Sequence, residues 1–535
     1  MSVLLSFHHA SVAELVNSLI DHGINIAAVE TGYTTRMNIY CSRNIKLLDT
    51  RDYRFPRNIL RLNDNNDYVL SDDVVKEFAL CERDYLSVAD RLSVEPLTVR
   101  DRRVLFYELL RYWLWYFKTY PDIDMVFFRE APHTGYDMVM YAVARYYGLE
   151  VRYVEQCKLG DFHLVRHRHD EVDKVPKRYF PKLSLDGIQK ILHSKHLAVL
   201  AERVDSALYS AHKQTKTGRH YQIEHPHFMR LRRFQSNVAK GFRNGLYWLR
   251  DRSLSITDYQ GGETYAFMFK WLLLRRYSKV KALKKYYNDH TCAPNLKEKY
   301  VLFTFHLQPE RTSSPFLAGI YEDQVVAVET LSKALPDDWY IYVKEHPLTF
   351  YASFWASSDF QLLHSVAQLN YRSIDDYQRL LALPNVKLVP TDFSIGKLLD
   401  HAQASATLTG TATWSGLFKG KPGIVFGYPW YVGCNSIYKV DGVSDCVAAI
   451  ESIQKTSPEQ VLSDIYRFLA YNRKRFVYLK DFNSNLDYFT VRACRSKRNA
   501  QELAKMIGCS NEALEEKFQR DYHQDMSKLA NSRSL

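Results

Sequence analysis

The stretch Tyr300-Val301-Leu302-Phe303-Thr304-Phe305-His306-Leu307-Gln308-Pro309-Glu310-Arg311 passes from an almost unbroken apolar run straight into a polar loop. A run that short, with β-branched and aromatic residues, reads as a strand buried on both faces over 301–305. Working outward, 322–335 carries a helical pattern, 339–344 a strand, 374–383 a helix and 386–389 a strand. Then come a helix over 395–402, a strand over 406–408, a helix over 414–419 and a strand over 423–426. Alternation at this spacing predicts a parallel sheet with helices on both faces.

The start of the chain repeats the logic. Residues 3–7 read as a strand, Ser11 as the cap of a helix carrying Val12, Leu15, Val16 and Leu19, and 24–29 as the next strand after Gly23. Residues 45–95 are polar and irregular by pattern, with 63–67 as a loop. A helix with a wide aromatic face is expected over 99–120, a strand over 125–130, a helix over 137–147 ending at Gly148, and a strand over 151–154. Residues 171–290 lack strand alternation and read as mainly helical, as does the chain after 450, with a polar tail from Ser510. The expected fold is α/β and GT-B-like: two Rossmann-like parallel-sheet domains with a basic helical connecting region. The expected bounds are 1–165, 166–299, 300–450 and a helical 451–535.

Composition agrees with a folded protein of several domains: 535 residues, 46% hydrophobic and 25% charged, with 38 Tyr among the 14% aromatics. The net charge of +12 is regional, because residues 171–300 hold 26 Lys and Arg against 11 Asp and Glu. One basic block between near-neutral halves fits an anionic inner-membrane surface or an anionic substrate better than nucleic acid, which calls for basic residues around a cleft or a recognised motif. The eight Cys (Cys41, Cys81, Cys157, Cys292, Cys434, Cys446, Cys494, Cys509) form no C-x-x-C pair, so neither a disulfide framework nor a zinc ribbon is indicated. The opening residues lack a basic signal-peptide region, and the apolar stretch 265–274 is broken by Lys270. A reducing cytoplasm, with peripheral contact to the inner membrane, is the expected location.

Ligands of doubly wound sheets bind at the carboxyl ends of the strands, so residues following strands are the candidates. His306, Gln308, Glu310 and Arg311 follow the first strand of the second half. Lys344-Glu345-His346-Pro347 follows the next, where Pro stops the strand and Lys344 and His346 can donate to a phosphate leaving group. Thr409-Gly410-Thr411 through Ser415 combine hydroxyls with a helix start, a candidate phosphate cradle; no G-x-x-x-x-G-K-[ST] occurs, so nucleoside triphosphate hydrolysis is not supported. In the first half, Glu130, His133 and Asp137 follow a strand, and any of them could deprotonate an acceptor hydroxyl; for Asp137 the structural alternative is a helix cap. His8-His9 is a further candidate. Asp122-Ile123-Asp124 precedes its strand and reads as a solvated turn. His163, His167 and His169 alternate with Arg166 and Arg168, which oppose a metal dication, and Glu224-His225-Pro226 has no strand before it.

The blocks at 300–311, at Ile320-Tyr321-Glu322-Asp323-Gln324, at 342–347 and at 410–422 occur in the order seen in the capsule polysaccharide biosynthesis family, which the chain resembles mainly over 300–430. Pro132-His133 is similar to that family's first domain. The resemblance, to bacterial capsule Kdo transferases among others, implies a GT-B glycosyltransferase needing no cofactor or metal. The nucleotide-sugar donor, CMP-activated and acidic (Kdo or sialic-acid-like), would sit on the second domain, and a glycan or lipid-linked glycan acceptor on the first. It further implies that His346 contacts the nucleotide phosphate, that Thr409, Thr411 and Ser415 contact nucleotide or phosphate, and that His306, Glu310 and Arg311 line the donor pocket. The chain departs from the retaining β-Kdo transferases in having no Q-x-D-x-G element. A polyol-phosphate or UDP-sugar transferase of the same fold, and a non-catalytic glycan-assembly subunit, are the alternative readings.

Overall fold

The computed structural model describes residues 1–7, 12–31, 45–49, 59, 63, 66–89, 98–157, 162–176, 266–350, 371–472, 475–479 and 497–508. His8, His9, Glu224-His225-Pro226 and most of the basic block lie outside these.

The first sheet comprises β1 (Ser2–Ser6), β2 (Asn25–Thr31), β3 (Lys46–Asp49), β4 (Met125–Phe128), β5 (Glu150–Gln156) and β6 (Phe162–Arg166). The second comprises β7 (Lys299–Thr304), β8 (Trp339–Lys344), β9 (Val386–Val389), β10 (Ala404–Thr407), β11 (Gly423–Val425) and β12 (Ile437–Lys439). The chain then returns to the first sheet as β13 (Phe476–Tyr478). The strand orders are β13-β6-β5-β4-β1-β2-β3 and β12-β11-β10-β7-β8-β9. All pairings in the second sheet are parallel; in the first, only β5–β6 and β6–β13 are antiparallel. From β3 to β5 in the first sheet, and from β9 to β11 in the second, the strands follow the doubly wound 3-2-1-4-5 order.

The elements form where the apolar runs dictate. Val301, Leu302, Phe303, Ile341, Val343 and Leu388 are fully buried in the middle of the second sheet, and Leu4, Val126, Phe127 and Val151 in the first. The expected helix at 99–120 is Val99–Thr119, capped by the Thr98 hydroxyl, with Phe106, Leu109, Leu110, Trp113 and Leu114 wholly enclosed. Three expectations fail. Residues 45–95 contain β3 and the helices Asp72–Glu77 and Ala79–Val88. The tail after 450 holds β13, and its Lys497–Gly508 helix buries Ala500, Leu503 and Ile507 with Leu15, Val16 and Leu19. Strands β6 and β12 were not expected; both are short and take their place from neighbours already in the sheet. The described end of the connecting region, Ala266–Asp289, is helical, and among the described residues no helix is long and apolar enough to cross a membrane.

Several segments clamp the two halves together. Phe316, from the second half, inserts among Tyr141, Tyr153 and His169 of the first, with ring centroids at 5.0, 6.0 and 4.4 Å. Lys174 reaches across to the carbonyls of Val432, Cys434 and Ile437, and Asp173 pairs with Arg475. Beside this clamp, Glu322 faces Asp84, Arg83 and the Ser87 hydroxyl of the Ala79–Val88 helix. Burial pushes its carboxyl up to about 7, Asp84 and Asp323 adding to the shift against the Ser87 bond and Arg83. A raised folded-state pKa means the folded protein holds this proton where the unfolded chain has lost it. The Glu322 contribution to stability is therefore present below the ordinary carboxylate range and lost as pH rises through about 7. Comparing wild type with Glu322→Gln by denaturant unfolding between about pH 5 and pH 8 should show the variant losing less stability over that range. Parallel pH profiles would contradict it.

Candidate active site between the two sheets

The strand order places the switch point of the second sheet between β7 and β10, where neighbouring strands send their chains to opposite faces and open a crevice. His306 leaves β7 at this point and Thr409-Gly410 leaves β10. They meet: the Thr409 N–H donates to His306 Nε2 at 3.2 Å, and Thr407 Oγ1 lies 3.1 Å from the same nitrogen. Because Nε2 accepts, the proton sits on Nδ1, which has no partner among the described residues. Burial, with His346 nearby, holds the imidazole down to about 4, so His306 is a neutral donor at physiological pH. Gly410 is required here: a Cβ at that position would lie 2.6 Å from Thr407 Oγ1 and 3.2 Å from His306 Nε2. The Thr411–Leu417 helix begins at once, with no side chain capping it.

The backbone of His306 is locked by Gln324, whose Oε1 accepts the His306 N–H at 2.6 Å and whose Nε2 donates to the His306 carbonyl at 3.1 Å. Gln308 continues the chain, accepting from Gln324 at 2.7 Å and donating to the Glu322 carbonyl at 2.8 Å. His306, Gln308, Thr349, Tyr371 and Arg372 line a narrow recess at the ends of β7 and β8. His346 is half-buried beside it, and Pro347 is exposed at the head of a 3₁₀ turn in which Thr349 N–H donates to the His346 carbonyl at 2.9 Å.

Several expected ligand groups are committed inside the protein instead. Glu345 is enclosed: Arg372 Nε lies 2.9 Å from Oε2, Tyr377 donates to Oε2 at 2.8 Å, and Thr349 and the His346 N–H donate to Oε1 at 3.1 and 2.8 Å. It holds the His346 loop and does not line the recess. Lys344 is turned by its register opposite Val389 towards β9, where Nζ donates to the Thr391 carbonyl, and burial draws its ammonium down to about 8. The Thr409 hydroxyl is spent on the Thr312 carbonyl, clasping the loop that follows β7. Thr411 stays exposed and Ser415 half-buried on the next turn.

Across the crevice, Asp137 accepts the backbone N–H groups of His133 and Thr134 at 3.0 and 2.8 Å, so its carboxylate fixes a loop and is not the free base expected. His133 Nδ1 donates to the Ala131 carbonyl at 2.8 Å, which leaves the proton-accepting position at Nε2. Glu130, just after β4, forms an ion pair with Arg311, joining the two expected site loops across the sheets. Glu310 is half-buried next to it, with the Thr312 hydroxyl 3.4 Å from Oε2. The three histidines rejected as a metal site do not converge: His163 lies in β6, His167 beside Glu150, and His169 against Phe316. Sequence reasoning missed Arg372, which lines the recess and has no motif around it.

Residues 255–478 match the family described as capsule polysaccharide biosynthesis protein. This segment, less than half of the chain, is similar to that family. It contains the whole second sheet, with His306, His346 and Thr409; the Glu130–Asp137 loop lies outside the matched range. None of the curated proteins matches the chain. Among solved structures, the chain is similar to UDP-GlcNAc 2-epimerase from Methanocaldococcus jannaschii, at 12% identity over 88% of this chain and 99% of that one, with a TM-score of 0.21. It is also similar to KpsC, beta Kdo 2,4 transferase, from Thermosulfurimonas dismutans, at 14% identity over 70% of this chain and 88% of that one, with a TM-score of 0.25.

Proposed function

We propose that the protein is a glycosyltransferase of capsular polysaccharide biosynthesis that moves a sugar from a CMP-activated acidic donor onto a growing or lipid-linked glycan. The observation that carries this reading is the meeting of His306 with the Thr409-Gly410 turn at the switch point of the sheet that bears the family segment. There the Nδ1–H of His306, His346 and the open start of the Thr411–Leu417 helix can share the charge that develops on a departing nucleotide phosphate. Those donors do the work that a divalent metal would otherwise do, so transfer is proposed to be metal-independent. The reading is tested by incubating the protein with CMP-Kdo or CMP-sialic acid and membranes from a capsule-forming host that lacks its own copy. Sugar entering the glycan in EDTA is expected. Transfer only from a UDP-sugar or CDP-polyol would replace the donor, and transfer from none of them would leave an assembly subunit.

We further propose peripheral attachment to an anionic cytoplasmic membrane surface. The Ala266–Asp289 helix turns Lys279, Lys281, Lys284 and Lys285 outward while burying Val280, Leu283 and Tyr287. Each surface lysine near an anionic bilayer contributes about 1 kcal/mol, so replacing these four by Gln should abolish co-sedimentation with phosphatidylglycerol liposomes at physiological salt. Unchanged binding would contradict the attachment.

A further inference from the structure

Glu155 occupies a place that neither the motifs nor the family segment marks. It lies two residues beyond Tyr153, the register partner of Phe128, and so is level with Glu130, two residues beyond Phe128 on the neighbouring strand. Strand alternation puts it on the same face as Tyr153, which packs against Phe316 of the second half, so it faces that half. Neither of its carboxylate oxygens accepts a hydrogen bond among the described residues. Arg166 Nη1 is 3.4 Å from Oε2, which is itself buried without a hydrogen-bond partner, yet the side chain keeps 12% exposure. On its own sheet its charge is felt by Arg166, Tyr153 and Cys157. From the second half Arg311 and Tyr431 lie within electrostatic reach, and the Tyr431 hydroxyl donates to the Gly410 carbonyl. Glu155 therefore looks across the crevice at the turn where the donor phosphate is placed above.

We infer that Glu155 is the general base that takes the acceptor's proton during sugar transfer, an inference that rests on the transferase reading. The acceptor oxygen forms its bond to the anomeric carbon while the bond from that carbon to the nucleotide phosphate breaks, its electron pair leaving with the phosphate. The acceptor proton passes to the Glu155 carboxylate and then to solvent. Of the carboxylates at this edge, Asp137 accepts backbone N–H groups and Glu130 accepts from Arg311, whereas Glu155 is ion-paired with Arg166 without accepting a hydrogen bond from it. Burial raises the Glu155 carboxyl above its ordinary range against the pull of Arg166 and Arg311, the direction that suits a proton acceptor near neutral pH.

The test compares wild type, Glu155→Gln and Glu155→Asp in the membrane transfer assay, across pH, with CMP-induced thermal stabilisation measured on each. Expected for Glu155→Gln are a rate about 10²–10⁴-fold lower, loss of the acid limb of the rate profile, and a retained response to CMP; Glu155→Asp should keep part of the rate and the limb. A full rate in Glu155→Gln overturns the proposal, as does transfer of the acid limb to His133→Gln. Parallel loss of thermal stability, CMP response and rate overturns it too, because Glu155 would then only balance Arg166. If wild type binds CMP but moves no sugar from any donor, the transferase reading fails first and the general base with it.

Discussion

Glu345→Ala is expected to destabilise the second domain by about 3–5 kcal/mol, the range for removing one partner of a buried ion pair. The carboxylate is fully enclosed and is the counter-charge of Arg372, whose guanidinium also lies over the Phe305 ring at 4.5 Å. Deleting it strands a buried cation and removes the acceptor used by Tyr377, Thr349 and the His346 N–H. Glu345→Gln keeps the shape but leaves Arg372 unbalanced, so it should be damaging as well. Denaturant unfolding of both variants checks this, and a change below about 1 kcal/mol, the level of an exposed pair, would contradict it. The same experiment separates two roles that sequence reading had merged: Glu345 supports the site, whereas its neighbour His346 is the group proposed to meet the donor phosphate.

His346→Ala should leave the fold nearly unchanged, because the ring is half-buried and the loop is held through its backbone. Transfer should fall by about 10²–10³-fold, the usual effect of removing one donor that stabilises developing charge. In a capsule-forming host whose own copy is deleted, polymer should be lost with His346→Ala, and also with Glu310→Ala, while protein level and melting temperature are retained. Wild-type polymer from both variants would favour the non-catalytic assembly subunit.

Strands β7, β8 and β11 were legible because they are nearly continuous apolar runs ending in polar loops. The switch point brings two strand-end loops, 305–311 and 409–411, into contact. What the sequence concealed follows from packing. Strands β3, β6, β12 and β13 sit at or beside sheet edges, are three to five residues long, and carry too little apolar pattern to stand out. Lys344, Glu345 and Asp137 are residue types suited to chemistry, but their side chains were taken up by the Thr391 carbonyl, by Arg372 and by backbone N–H groups. A one-dimensional pattern locates a loop at a strand end without saying which of its side chains face the crevice. Glu155 shows the converse: an unremarkable strand-end carboxylate is placed by sheet register level with Glu130.

On the proposed reading, the crevice beside His306 and His346 holds a CMP-linked donor. Titrating CMP, CDP and UDP against wild type and His346→Ala by thermal unfolding tests it, since a ligand at about 100 times its Kd stabilises by about 2.7 kcal/mol. The largest rise in melting temperature is expected with CMP, and its loss in His346→Ala. A larger response to UDP, a CMP response untouched by His346→Ala, or no response to any nucleotide would contradict it.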